Sequence, residues 1–179
     1  MKFRPSQSKA KHIVCGCCGK PLEGNLPALT YAMPAYWDDD VAQLPNSELG
    51  SDFCCIEGKS YFIRAVLQIP IIDSDQTLDW GVWVSLSETN AKRYSKVYGT
   101  PAELEEPIYF GWFSNILPDY PNTLNLKANV HLQGGNCRPL IELQHENDHP
   151  LCQEQHLGIT LERAHEIIRS VLGSEHELN

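Results

Sequence analysis

Long apolar runs are missing from this chain of 179 residues. A membrane-spanning helix needs about 20 consecutive apolar residues, and no stretch approaches that. Residues 1–11 are basic and polar with no apolar segment behind them, so a secretory leader is not expected. Positive charge is scarce as well. Lys and Arg number 14 against 23 Asp and Glu, a formal net charge of −9. That balance argues against non-specific nucleic-acid binding, which needs cations to neutralise phosphates, and equally against an anionic membrane surface. It suits a solvated acidic surface or an acidic face for a basic protein partner. Catalytic signatures are absent too: there is no Gly-x-Ser-x-Gly, no His-Glu-x-x-His and no phosphate-binding loop. Internal repeats and low-complexity tracts are also lacking.

What is present is a globular composition, 42% hydrophobic and 21% charged. A chain of this length buries about 70% of its unfolded surface, so an ordinary core is available. The expectation is a single domain over residues 1–179: a loose leader (1–11), a cysteine-containing irregular segment (12–58) and an α+β core (59–173). A cytoplasmic location is expected, where thiols stay reduced. Seven cysteines, an odd number, then point to metal binding, burial or redox chemistry before a disulfide framework.

Cys15-Gly16-Cys17-Cys18-Gly19 is the most specific chemical signal. Zinc takes four tetrahedral ligands, and Cys-x-x-Cys spacing offers two thiolates from one turn. Gly19 permits the backbone conformation such a turn needs. Cys54-Cys55 forms a second cluster, and adjacent residues seldom both reach one ion. Cys54 is therefore preferred to Cys55 as third ligand. The fourth is open among the other cluster cysteine, Cys17, His12 and His149. The competing readings are buried thiols and a redox pair, the latter without the expected βαβ context.

Residues 61–69 and 80–86 read as strands with one apolar face each, Tyr61, Ile63, Ala65, Leu67 and Ile69 in the first and Trp80, Val82, Val84 and Leu86 in the second. They suggest an antiparallel pair. Ser87 caps a helix ending near Gly99. A short strand near 108–113, an alternating strand over 124–132, a Gly134-Gly135-Asn136 turn and a return strand over 137–143 follow. A short helix near 150–156 and an amphipathic helix capped by Thr160 finish the chain. The order fits an antiparallel sheet covered by helices on one face.

Three further groups carry chemistry. His145-Glu146-Asn147-Asp148-His149-Pro150, with His131 nearby on the preceding strand, offers a metal site or a general base with its orienting carboxylate. Alternatively, Asp148 caps the helix starting near Pro150 and His149 packs locally. Arg64 and Arg138 lie inside strands and need partners: Glu142, Asp79 or Asp148 in a structural role, or an anionic ligand. Tyr109, Phe110, Trp112 and Phe113, with Trp80 and Trp83, make either core or a partner surface.

Several runs taken together resemble a bacterial family catalogued as domain of unknown function 2199: Cys15-x-x-Cys18-Gly19, Ser51-Asp52-Phe53-Cys54, Tyr61-Phe62-Ile63-Arg64, Trp80-Gly81-Val82-Trp83-Val84-Ser85, Tyr109-Phe110-Gly111-Trp112, Arg138-Pro139 and Asp148-His149-Pro150-Leu151. The resemblance spans residues 15–158 and implies a shared fold and little about activity. It favours Cys15, Cys18 and Cys54 as ligands over Cys17 and Cys55, and it singles out Asp148-His149. At Leu22 the chain departs from the family pattern, which has a His there.

The expected protein is therefore an α+β, zinc-stabilised binding or interaction domain without catalysis, with an N-terminal zinc-knuckle-like segment. Its metal ligands are Cys15, Cys18 and Cys54, with Cys55 or His149 as fourth, and its ligand or protein partner is unidentified. The alternative is a hydrolase-type enzyme using Asp148, His149 and Arg64 in a cleft.

Overall fold

The computed structural model describes residues 26–135 and 137–174. It contains strands β1 (Leu29–Thr30), β2 (Glu48–Leu49), β3 (Phe53–Ile56), β4 (Ser60–Pro70), β5 (Thr77–Leu86), β6 (Tyr109–Phe113), β7 (Lys127–His131) and β8 (Leu140–Leu143). The helices are α1 (Glu88–Val97), α2 (Pro150–Leu157) and α3 (Leu161–Ser174), with short 3-10 turns at Val41–Gln43 and Pro101–Glu105.

Strands β4 and β5 make the longest pairing, antiparallel from Tyr61 opposite Leu86 to Pro70 opposite Thr77. Alternation sends Ile63, Ala65, Leu67 and Ile69 of β4 and Leu78, Trp80, Val82 and Val84 of β5 to one face, where each is fully buried. From β5 the chain meanders antiparallel through β6, β7 and β8, and β8 returns to β4. Five strands alternating in direction bring the last back parallel to the first. The closing pairs, Val66 with Leu140 and Leu67 with Ile141, are accordingly parallel. The inward residues of all five strands fill the closed barrel.

The expected sheet covered by helices is thus overturned. The protein is mainly β, and the three helices among the described residues are short, 14 residues at most. Helix α1, capped by Ser87 as expected, follows β5 and buries Ala91 and Tyr94. Helices α2 and α3 meet the far end of β4, where the Ile159 N–H donates to the Pro70 carbonyl at 2.8 Å and the Ile159 carbonyl accepts from Ile72 N–H at 2.9 Å. The error has a physical cause. Alternation along one strand reveals that a face is buried, and it is silent on whether a helix layer or the opposite wall of a barrel does the burying. No helix among the described residues is long and apolar enough to cross a membrane.

Each strand has two edges, and their sharing locates the surface features. β5 gives one edge to β4; β6 and the parallel β1 divide the other, β6 at Val84 and Ser85 and β1 at Trp80 and Gly81. β4 gives one edge to β5, while β3 covers residues 60–63 on its other edge and β8 covers Val66 and Leu67. Gly111 of β6 is required where the walls close up, because a Cβ there would stand 2.5 Å from the Ser85 carbonyl oxygen and 2.6 Å from Val84 Cγ2.

The outer face of β4 and β5 is wrapped by residues 26–56. Trp83, Phe62 and Cys54 form a second, smaller core against Tyr31, Trp37, Leu49 and Ile56. The wrap is held by specific polar bonds. The Trp83 indole N–H donates to the Tyr31 carbonyl at 3.2 Å, the Trp83 backbone N–H donates to Asn115 Oδ1 at 2.7 Å, and Asn115 Nδ2 donates to the Met33 carbonyl at 2.9 Å. Of the aromatic cluster, Tyr109, Phe113, Trp80 and Trp83 are core, whereas Phe110 and Trp112 are about two-fifths exposed on the outside of β6.

Candidate functional site

The edge of β4 passes from β3 to β8 at Arg64, whose backbone N–H donates to the Asp52 carbonyl at 3.0 Å, while Val66 N–H donates to the Pro139 carbonyl at 2.8 Å. Asp52 directly precedes β3 and Arg138 lies two residues before β8. The handover therefore brings both side chains to Arg64, and Arg138 Nε donates to Asp52 Oδ1 at 2.7 Å. The partner of the arginines is Asp52, and not Glu142, Asp79 or Asp148. Asp79 accepts from Gln68 and Thr77, and Glu142 faces His131 at 3.3 Å.

Two guanidiniums share this one carboxylate. Burial alone would raise the Asp52 pKa, but hydrogen bonds from Arg138 and Ser51 and the charges of Arg138 and Arg64 outweigh it and hold the carboxyl below its ordinary value. Arg64 is the less satisfied cation. Burial and the Arg138 charge lower its pKa, with Asp52 opposing. Its Nη1 reaches the Ser51 carbonyl only at 3.5 Å, and its buried Nε has no hydrogen-bond partner among the described residues. Buried polar groups are nearly always paired, so an orphaned guanidinium N–H invites an acceptor.

Beside this cluster lies a cleft of about 450 Å³ between the β2–β3 turn and α1, lined by Ser51, Asp52, Phe53, Tyr61, Lys92 and Ser95 among others. Phe53 packs against Tyr94 and Tyr98, with ring centroids 5.2 and 5.7 Å away. Burial is the first cause that pushes both tyrosines' pKa values up, joined by Tyr98, Glu103 and Asp52 for Tyr94 and by Asp52 and Glu103 for Tyr98. Glu103 is itself buried, with an unpartnered Oε2. The cleft itself offers the Ser51, Ser95 and Tyr61 hydroxyls, the Lys92 cation and the Phe53 wall, and the paired cations Arg64 and Arg138 adjoin it through Asp52.

The Asp148–His149 pair does not belong to this site. His149 is the N-cap of α2, a role the sequence assigned to Asp148. Its Nδ1 accepts from the Leu151 N–H at 3.1 Å, and its Nε2 lies 3.4 Å from the Pro121 carbonyl. A ring nitrogen committed as helix cap is not a free base. Asp148 is exposed. Cys54 and Cys55 are neighbours on β3 and so face opposite sides. Cys54 is buried, and its thiol is pushed up to about 12, by burial first and then by Cys55, so it is protonated at neutral pH. His12, Cys15, Cys17 and Cys18 lie outside the described residues.

Asp52 and Glu103 escaped the sequence reading. Ser51-Asp52 precedes a strand after an irregular stretch, with no periodicity to place it, and its proximity to Arg138 exists only once β3 and β8 share one edge. In the sequence Glu142 stands out only as a partner for an arginine, and His156 only as the end of a helix. His145 and His156 are brought together with ring centroids 3.7 Å apart, and Glu142 joins them.

No curated protein and no solved structure matches the chain. A family model described as an uncharacterized protein conserved in bacteria matches residues 14–159, most of the sequence. With that span matched, the chain belongs to the bacterial DUF2199 family.

Proposed function

We propose that the protein is a zinc-stabilised binding domain without catalysis, taking a small anionic ligand beside Arg64 and Arg138. The observation carrying the reading is the buried Nε of Arg64, unpartnered among the described residues, next to a second guanidinium, with the Asp52 carboxylate between them. A carboxylate or phosphate oxygen supplies the missing acceptor in the planar, forked geometry that guanidinium favours. The formal charge of −9 favours a small anion over an acidic macromolecule, which the whole surface would repel. The commitment of His149 to helix capping weighs against the hydrolase alternative.

In this reading Cys15, Cys18 and Cys54 hold the zinc, and the metal supplies the positive charge that ionises the buried Cys54 thiol. Thermal unfolding of the full chain with inorganic phosphate or malonate tests the anion site. A saturable rise in Tm that disappears in Arg64→Gln is expected, and an equal rise in both proteins overturns it. Metal analysis tests the zinc: one ion per chain is expected, lost along with stability in Cys15→Ser/Cys18→Ser. Metal-free protein with both thiols freely alkylated removes zinc from the reading.

A further inference from the structure

A second ion-binding chemistry is built at the opposite side of β8, independent of the arginines and of the cysteines. β8 has β7 on one edge, and on the other it loses β4 after Ile141. Helix α2 takes over that free edge with its side chains. Gln155 donates to the Ile141 carbonyl and accepts from the Leu143 N–H, both at 2.8 Å, standing in for a neighbouring strand. The connection between β8 and α2 is pinned too. The Asn147 amide accepts from the Lys127 N–H at 3.1 Å and donates to the Lys127 carbonyl at 2.9 Å. The positions of His145 and His156 are therefore fixed by ordered backbone on both sides.

His156 Nε2 lies 2.7 Å from the Leu143 carbonyl. A carbonyl only accepts, so Nε2 carries the proton and Nδ1 of the neutral ring holds the lone pair. A ring N–H anchored on a backbone carbonyl is how metal-ligating histidines are usually oriented. The His145 ring lies over it, with centroids 3.7 Å apart and planes 21° from parallel. One ligand atom each from Glu142, His145 and His156 falls within 4.8 Å of the others. Tetrahedral ligands at about 2.1 Å from zinc stand about 3.4 Å apart. Small side-chain rotations of the exposed His145 and half-exposed Glu142 close that difference. His131 Nε2, 3.3 Å from Glu142 Oε2, holds the carboxylate and leaves its other oxygen free. Glu142 and His145 also border a cleft of about 250 Å³ lined by Asn129, Gln144 and Glu146, with room for water beside the ligand atoms.

We propose that Glu142, His145 and His156 bind a divalent transition-metal ion of the zinc class, with His131 as the positioning residue for the carboxylate. Two imidazoles and one carboxylate suit zinc, iron, nickel or copper and not calcium or magnesium, which prefer all-oxygen sets.

The test is titration of chelator-stripped, full-length protein with Co²⁺, followed by absorption. The expected result is a saturable visible band from nitrogen and oxygen ligands, with affinity falling at least tenfold in His145→Ala. His145 is exposed, so its removal leaves the fold intact, as circular dichroism verifies. Glu142→Gln loses affinity similarly, and His131→Ala loses it to a smaller degree. A thiolate charge-transfer band in the near ultraviolet reports the cysteine reading separately, and its presence or absence leaves this inference untouched. A visible band identical in wild type and His145→Ala, or cobalt binding through thiolates alone, overturns the proposal.

Discussion

The interior of the barrel and the wrap over its outer face bury tryptophans three residues apart by different means. Trp80 points inward into the barrel core, with the Tyr31 ring stacked 6.2 Å away and its indole N–H unpartnered among the described residues. Trp83 points outward, is just as fully buried, and donates its indole N–H to the Tyr31 carbonyl. The interior rests on apolar area and shape, which act without direction. The wrap has only short ladders, β1 on β5, β2 on β3 and β3 on β4, and between them residues 31–37 depend on a few directional bonds through Asn115, Ser114 and Tyr31. Failure of the first is expected to be global, and failure of the second local.

The largest effect separating the two comes from truncating the interior. Leu67→Ala removes a fully buried side chain at the barrel closure and is expected to cost about 2–5 kcal/mol. Denaturant unfolding should shift as one cooperative transition whichever probe is used. Asn115→Ala, by contrast, strips the wrap of two bonds and leaves the buried Trp83 N–H unpaired and the part-buried Met33 carbonyl without its donor, at about 1–3 kcal/mol. Hydrogen exchange is expected to lose protection in residues 31–37 while β4 and β5 keep theirs. Loss of protection throughout the barrel would erase the distinction.

The sharper comparison is the matched pair Trp80→Phe and Trp83→Phe. Each removes the same atoms, but only the second deprives the Tyr31 carbonyl of its donor. Trp83→Phe is expected to be the more destabilising, by on the order of 1 kcal/mol, in parallel thermal melts. The smallest effect concerns the seam where wrap and barrel meet. The folded-state pKa of Asp52 is depressed, so its contribution is fully present above the ordinary carboxylate range. It is lost as pH falls through that range to the folded value. With a half-accessible Arg138 as partner it is worth a few tenths of a kcal/mol to about 1 kcal/mol. The stability gap between wild type and Asp52→Asn should be widest near neutrality and vanish once pH falls below the depressed folded-state value.

The interior was legible and the wrap was not, for the same physical reason. Ile63, Ala65, Leu67 and Ile69, like Leu78, Trp80, Val82 and Val84, write their burial into the sequence with period two. Ser87 and Thr160 announce helix starts through side-chain oxygens, and both cap as expected. Residues 26–56 carry no long period, because β1, β2 and β3 are only two to four residues each and the rest of the segment follows the contours of β4 and β5. Closure was hidden because Val66 and Leu140 meet only in three dimensions. The same holds for the candidate sites. Arg64 and Arg138 were visible as strand arginines, but Asp52 became their partner only when two strands shared an edge. His149 went to the helix cap because its ring nitrogen reaches the Leu151 N–H, which residue order alone could not rank against Asp148.

The odd strand count has a consequence for synthesis. The closing contacts of β4 are made by Leu140 and Ile141, the penultimate stretch before the last two helices. While the chain is being made, β4 and β5 can pair early, but the edge at Val66 waits until most of the polypeptide exists. An open edge of that kind is a template for another chain, and distant closing contacts slow folding. A ribosome that stalls anywhere before residue 140 would therefore release a sheet with two unsatisfied margins, and chaperone dependence should concentrate in that interval of translation.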